Sequence, residues 1–176
     1  MFVHIVQLTN YKKFGKIIIE NMKGIDERMT IWFDMDGTIA DLYGVENWLP
    51  MLRANDPAPY MLAKPMLRLN TLAYMLNRLQ KRGYHIGVIS WLSKTGTPEY
   101  NAEVTATKLA WLAQHLPSVS WDSVHIVPHG IPKQNFKQTP DDILFDDEQG
   151  NRDKWGETAY TEREIMEILR NLAQGA

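Results

Sequence analysis

The chain has 176 residues, of which 44% are hydrophobic and 23% are charged. This length and balance are typical of a single soluble globular domain, so global disorder is excluded. The 19 basic and 21 acidic residues leave a net charge of −2, which argues against binding to duplex nucleic acid. Cysteine is absent, which excludes disulfides, thiolate metal sites and a cysteine nucleophile.

Neither a membrane span nor a secretion signal is expected. No apolar run approaches the ~18 residues that a membrane span requires, and the start of the chain lacks the basic, apolar and small-residue segments of a signal peptide. We therefore expect a cytoplasmic protein that does not contact membranes. The sequence leaves the oligomeric state open, a homodimer included.

Residues 1–28 differ in composition from the rest of the chain. They carry a basic patch at 12–16 and a short apolar run at 17–19. We expect an N-terminal extension that packs loosely or adds an edge strand, followed by the main domain over 29–176. In the alternative interpretation, Met29 is the functional first residue.

From residue 30 onward, short apolar runs alternate with segments of helical periodicity. Strands are predicted at 30–33, 85–89, 124–127 and 143–145. Helices are predicted at 69–79, at 98–116 and after the capping-box pair Thr161 and Glu164. The buried face of the second helix is expected to consist of Val104, Leu109, Leu112 and Leu116, with Trp111 also in the core. This order predicts a Rossmann-like, three-layer α/β sandwich with a parallel central sheet.

Residues 40–68 interrupt this alternation. The segment contains four prolines, the large aromatic residues Trp48 and Tyr60 and several methionines, and it is too short for a separate domain. We predict a minimal helical cap inserted over one end of the sheet. Its aromatic residues Trp48 and Tyr60 either line a substrate pocket or form the small core of the cap.

Polar residues follow each predicted strand at its carboxyl end, the edge where open parallel sheets bind ligands. In chain order they are Asp34, Asp36, Ser90, Lys133, Asp146 and Asp147. Several carboxylates at one point repel each other unless a hard cation such as Mg²⁺ neutralises them. An ionised Asp beside such a cation can attack phosphorus, and a second Asp can protonate the leaving group. The set therefore predicts a metal-dependent phosphoryl-transfer site.

The same residues resemble the motifs of a known superfamily. The segment 33–38, Phe-Asp-Met-Asp-Gly-Thr, resembles the first motif of the haloacid dehalogenase superfamily. Ser90, Lys133 and the pair Asp146–Asp147 resemble its second, third and fourth motifs. The resemblance extends in order and spacing over about 30–172.

Two further segments are similar to the 5′(3′)-deoxyribonucleotidase branch of that superfamily. They are Lys108-Leu-Ala-Trp111 and the tail from Asp146 to Tyr160, and the tail is also similar to small phage-type relatives. Trp91, which follows Ser90, and the proline-rich insertion depart from the nucleotidase pattern. These departures concern the identity of the substrate rather than the type of reaction.

The resemblance implies a role for each motif residue. Asp34 would be the nucleophile that forms an aspartyl phosphate, and Asp36 the general acid and base. Ser90 and Lys133 would bind the phosphoryl group, with Lys137 as the alternative lysine. Mg²⁺ would be held by Asp34, the carbonyl group of Asp36, Asp146 and Asp147.

The expected function is that of a Mg²⁺-dependent phosphomonoesterase. The leading substrates are small phosphorylated molecules, nucleoside monophosphates and especially deoxy ones, bound in a pocket that contains Trp48, Tyr60 and Trp91. The alternatives are a polynucleotide end-phosphatase, which would need a basic groove, a phosphatase of another small phosphometabolite, and a non-catalytic binding protein.

Two other pairs of residues are interpreted as structural. His125 and His129 have the spacing of a helical zinc site, but the first lies in a predicted strand and the second beyond Pro128. Asp141 and Asp142 precede the fourth strand, at the end of the sheet opposite the predicted site. We interpret them as turn residues.

Overall fold

The computed structural model describes residues 28–174, and a parallel five-stranded sheet forms the centre of the fold. The strands in chain order are β1 (Thr30–Phe33), β2 (Ala40–Asp41), β3 (Lys64–Pro65), β4 (His85–Trp91), β5 (Ser123–Val127), β6 (Ile143–Phe145) and β7 (Ala159–Tyr160). The central sheet has the order β5-β4-β1-β6-β7, and every pairing within it is parallel. The predicted extension at 1–28 lies outside the described residues, except for Arg28.

Six helices and one 3₁₀ turn connect the strands of the described region. They are α1 (Trp48–Arg53), α2 (Ala58–Leu62), α3 (Leu69–Gln80), α4 (Pro98–His115), the 3₁₀ turn Lys133–Phe136, α5 (Gln149–Trp155) and α6 (Ile165–Gln174). None of them is long and apolar enough to cross a membrane. The predicted α/β sandwich with a parallel sheet is confirmed.

Strand β1 is the central strand, and it is buried on both faces. Ile31 and Phe33 pack into a large hydrophobic cluster on one face of the sheet. Trp32 packs into a smaller cluster on the other face. Trp32 lies beside Gly87 of β4, where any side chain would collide with the indole ring. A glycine in this buried strand therefore makes room for the tryptophan.

The two faces of the sheet are covered unequally. Apolar side chains of α3, α4 and α6 form the larger cluster, in which Leu76, Trp111 and Leu169 are buried. The other face is covered by Trp155 of α5, with Phe136 of the 3₁₀ turn packed beside it. Together with the sheet these helices make three layers.

The segment 40–68 forms a small, mainly helical insertion, which we call the cap. Strands β2 and β3 pair antiparallel, so the two ends of the insertion lie next to each other. Helices α1 and α2 lie between these strands in the sequence, and α2 packs on α4. Tyr60 of α2 is buried with Tyr100 and Val104 of α4, which fixes the cap to the sheet domain.

The structure corrects the predicted buried face of α4. Leu109 is 45% exposed, whereas Lys108 is buried beside Val104 and Leu112. The reason is geometric, since residues 104, 108, 111 and 112 share one side of a helix. The prediction also missed β7 and α5, and it ended β4 two residues too early.

Candidate active site

The first functional segment begins where β1 ends. Asp34 donates its backbone N–H to the carbonyl of Phe145, which keeps the chain beside β6 for one more residue. The chain then turns through Gly37, whose φ of +77° is the left-handed conformation that glycine adopts without strain. A side chain at Gly37 would approach within 2.5 Å of Asp147 Oδ2. The turn thus brings the backbone close to the carboxylates that follow β6.

Three carboxylates meet at this edge of the sheet. Asp34, Asp146 and Asp147 each offer an oxygen, and these oxygens lie within 4.8 Å of one another. Burial and the negative charge of Asp34 raise the pKa of Asp146 to about 6 and that of Asp147 to about 7. The site therefore concentrates negative charge that a cation would stabilise.

Lys133 is the first of two buried lysines at the site. Its Nζ lies 2.8 Å from Asp34 Oδ1 and 2.6 Å from Asp146 Oδ2, and the residue is 2% exposed. Burial acts to lower the pKa of Lys133, but the two carboxylates outweigh it and raise the pKa. Lys137 instead donates to Trp155 O and Thr158 Oγ1, at 3.3 and 3.2 Å. Of the two lysines that the sequence left open, Lys133 is the one that contacts the carboxylates.

Lys108 is the second buried lysine, and the sequence did not assign it to the site. Its Nζ lies 2.5 Å from Asp36 Oδ2, 2.9 Å from Ser90 Oγ and 2.7 Å from the carbonyl of Trp91. Burial raises the pKa of Asp36 in spite of the opposing effect of Lys108. The sequence feature that could have identified Lys108 is its position on the same side of α4 as the apolar residues Val104 and Leu112. Ser90 is fully buried and bonded to this lysine.

Residues of α5 hold the loop that carries Asp146 and Asp147. Asn151 Nδ2 donates to both carboxylate oxygens of Asp146, at 3.2 and 3.1 Å. Arg152 Nη1 donates to the main-chain carbonyls of Asp146 and Asp147, both at 2.7 Å. The bonds from Asn151 fix the orientation of the Asp146 carboxylate, and the bonds from Arg152 fix the backbone at Asp146 and Asp147.

A cavity of about 350 Å³ adjoins two of the three carboxylates, Asp34 and Asp147. Asp36 and Lys133 also line it, and so do all three predicted pocket aromatics, Trp48, Tyr60 and Trp91. Trp48 contacts Tyr43 edge-on at a ring distance of 5.1 Å. Trp91 is held by a 2.8 Å bond from its Nε1 to Ile131 O. Tyr60 is almost fully buried, so it serves the core of the cap as well as the cavity.

The donor set fits a hard divalent cation. Mg²⁺ prefers oxygen ligands, and the three converging carboxylates supply them from two adjacent strands. The carboxylate of Asp36 does not belong to this cluster, because Lys108 binds it. Asp36 could take part only through its main chain, which is the role that the superfamily resemblance implied.

The histidine pair forms no metal site among residues 28–174. His125 packs between Trp32 and Phe136, with ring distances of 5.6 and 4.5 Å. His129 contacts the ring of Trp91 and lines the cavity. Burial lowers the pKa of His125.

Asp142 bonds residues of the turn before β6, as predicted, but it also bonds β1, which the sequence did not indicate. Asp142 is fully buried, and its carboxylate accepts bonds from the backbone N–H groups of Thr30 and Gln138, from Thr139 Oγ1 and from Trp32 Nε1. Asp141 is exposed. Asp142 is therefore a structural anchor for β1 and β6 at the end of the sheet opposite the cavity.

Comparison with known proteins does not assign this chain to a family. No family model matches this chain, and no curated protein matches it significantly.

Proposed function

We propose that the protein is a Mg²⁺-dependent phosphomonoesterase that acts through an aspartyl phosphate on Asp34. One observation carries the proposal. Asp34 lies at the end of the central strand and lines a cavity, with a buried lysine on one oxygen and an oxygen of each of two further carboxylates within 4.8 Å. This arrangement provides a nucleophile, a positive charge for the phosphoryl group and ligands for a cation in one place.

The proposed reaction has two steps on the same aspartate. In the first step, a carboxylate oxygen of Asp34 forms a bond to phosphorus while the ester bond to the leaving oxygen breaks. Asp36, which also lines the cavity, donates a proton to that oxygen. In the second step, water attacks phosphorus, the bond to Asp34 breaks, and Asp36 takes a proton from the water.

The two buried lysines, Lys133 and Lys108, contact different carboxylates and have different proposed roles. Lys133 is placed to offset negative charge on the phosphoryl group and on Asp34. Lys108 orients the carboxylate of Asp36 through their 2.5 Å contact. Mg²⁺ bound by Asp34, Asp146 and Asp147 would supply Lewis-acid stabilisation of the phosphoryl oxygens.

Nucleoside monophosphates, especially deoxynucleotides, are the substrate class that we favour. Trp48 and Trp91 line the same cavity as Asp34 and Asp147, and aromatic rings are surfaces on which a base can stack. The cavity volume of about 350 Å³ is at the lower end for small-molecule sites, which favours a small phosphorylated molecule over the end of a polynucleotide.

The proposal is tested by measuring phosphate release from a panel of phosphorylated metabolites, with Mg²⁺ and with a chelator. We expect turnover that needs the metal and is fastest for nucleoside monophosphates. If no member of the panel, including 4-nitrophenyl phosphate, is hydrolysed, the enzymatic assignment fails and a binding role takes its place.

Substrate recognition is tested by Trp48→Ala. Loss of one stacking surface should raise KM for a nucleoside monophosphate by about ten-fold, since base stacking contributes roughly 1–3 kcal/mol. Hydrolysis of 4-nitrophenyl phosphate should change little. Tyr74→Ala removes an exposed aromatic side chain that does not line the cavity and is the matched control. Equal losses on both substrates would mean that Trp48 only packs the cap.

A further inference from the structure

Two cations in the cavity wall have no role in the chemistry proposed above. Arg53 is the last residue of α1 in the cap, and Lys94 lies in the loop between β4 and α4. Both side chains are exposed, and neither has a hydrogen bond or an ion pair within residues 28–174. Both residues line the same cavity as Asp34.

We propose that Arg53 and Lys94 bind a second phosphate, carried by the leaving part of the substrate. This inference rests on the proposed phosphatase function and deepens it. The favoured substrate is then a compact bisphosphorylated molecule, such as a nucleoside 3′,5′-bisphosphate, of which one phosphate is transferred to Asp34.

The distribution of charge in the cavity supports this division. Lys133 forms ion pairs with Asp34 and Asp146, so it belongs to the phosphate that reacts. Arg53 and Lys94 come from two other elements, the cap and the loop after β4, and no carboxylate among residues 28–174 forms an ion pair with either. Such cations in the same cavity as the carboxylates provide a local site for a second anion.

The neighbours of Lys94 add hydrogen-bond donors to this wall. Ser93 and Thr95 flank Lys94 in the sequence, and all three residues line the cavity. Hydroxyl groups next to a lysine are suited to phosphate oxygens, because each can donate one bond while the lysine supplies charge. An arginine on the cap can add a bidentate contact from another element.

The kinetic test compares thymidine 3′,5′-bisphosphate with thymidine 5′-monophosphate in the full-length protein with Mg²⁺. Two exposed cations should favour the bisphosphate by about ten-fold in kcat/KM, because each exposed ion pair contributes about three-fold. The preference should shrink in about 1 M salt, which screens charge beyond ~3 Å. Equal kcat/KM values for the two substrates would overturn the proposal.

Substitutions assign the preference to these residues. Arg53→Gln and Lys94→Gln should each reduce the preference by about three-fold, and the double variant should abolish it, whereas Lys81→Gln, an exposed lysine outside the cavity, should retain it. Equal losses on both substrates would show general attraction of anions and would contradict a second phosphate site.

A third substrate distinguishes the source of the second phosphate. A 5′-phosphorylated thymidine dinucleotide presents a phosphodiester in place of the 3′-phosphate. We expect it to be a poorer substrate than the bisphosphate. A better rate for the dinucleotide would overturn the assignment to a small bisphosphate in favour of a polynucleotide end.

A binding measurement separates this inference from the proposed function. Calorimetry with Asp34→Asn protein reports binding of the bisphosphate without turnover. Tighter binding of the bisphosphate than of the monophosphate, lost in the Arg53→Gln and Lys94→Gln double variant, would support the second site even if no substrate were hydrolysed. Equal binding of the two nucleotides would overturn the inference even if phosphatase activity were found.

Discussion

The two ends of β6 each carry a fully buried aspartate, and the two residues have opposite surroundings. Asp142 precedes the strand and accepts bonds from two backbone N–H groups, a hydroxyl and an indole. Asp146 follows the strand and faces Asp34 and Asp147, with Lys133 between two of the carboxylates. Neutral donors therefore surround the carboxyl group of Asp142 at one end of the strand. At the other end, Asp146 lies among other charged side chains.

Two buried aspartates at opposite ends of one short strand therefore have different roles. Asp142 stabilises the fold, whereas Asp146 belongs to the candidate active site. Hydrogen bonds from fixed donors satisfy the buried carboxyl group of Asp142 and thereby tie β1 to β6. Carboxylates that face one another destabilise the fold unless a cation is bound. Such strain is typical of functional sites.

The largest expected effect is that of Asp34→Asn on catalysis. The amide keeps the shape of the side chain but removes the nucleophilic charge, so kcat for phosphate release should fall by roughly three orders of magnitude or more. Asp141→Asn, the same substitution at the other end of β6, should leave kcat unchanged. A rate near that of the unmodified protein in Asp34→Asn would contradict covalent catalysis.

The next effect is that of Asp142→Ala on folding. The substitution leaves four buried or half-buried donors without their acceptor, so the free energy of unfolding should fall by about 3 kcal/mol. Urea denaturation measures the loss, and Asp141→Ala should cost less than about 0.5 kcal/mol. The kcat of the protein that remains folded should not change. A selective loss of kcat at full stability would show that Asp142 belongs to the active site.

A smaller effect is expected for Arg152→Ala. Without the bonds from Arg152 to two main-chain carbonyls, the loop with Asp146 and Asp147 is less well fixed, and the Mg²⁺ concentration for half-maximal activity should rise by about 10-fold or more. The increase in melting temperature on adding Mg²⁺ should shrink in parallel. Arg163→Ala, on an exposed side chain, is the control. An unchanged Mg²⁺ response in Arg152→Ala would rule out this positioning role.

The smallest expected effect is a stabilisation by Asp147→Asn in the absence of divalent cations. Burial and Asp34 raise the pKa of Asp147 to about 7, so ionisation costs the folded state stability as the pH rises from about 4 through 7. An amide does not ionise, and the variant should therefore be more stable at pH 8 by about 1–2 kcal/mol, because solvent screens part of the effect at this half-buried residue.

Thermal unfolding with a chelator at pH 4 and pH 8 measures this difference. The two proteins should have similar stability at pH 4, and added Mg²⁺ should stabilise the unmodified protein more than the variant at pH 8. A variant that is less stable at pH 8 with the chelator would mean that the carboxylates do not repel one another.

The carboxylates at the strand ends could be predicted from the sequence, whereas the buried lysine on α4 could not. Asp34 and Asp146 directly follow apolar runs, Lys133 lies in the loop beyond a third one, and the parallel sheet brings such positions together. Lys108 was missed because a lysine at helical spacing is ordinarily solvated, and only the packed structure shows that it points at Asp36. Strand β7 has two residues, too few for a periodic pattern. Two of the four bonds to Asp142 come from β1, which is more than a hundred residues away in the chain.

The central claim, that a carboxylate oxygen of Asp34 becomes bonded to phosphorus, can be tested without knowing the substrate. Beryllium fluoride imitates a phosphoryl group on a carboxylate, and its bound form has a distinct ¹⁹F NMR signal. With Mg²⁺ we expect this signal for the unmodified protein and for Asp141→Asn, but not for Asp34→Asn. A bound signal that persists in Asp34→Asn, or none in the unmodified protein, would contradict the account.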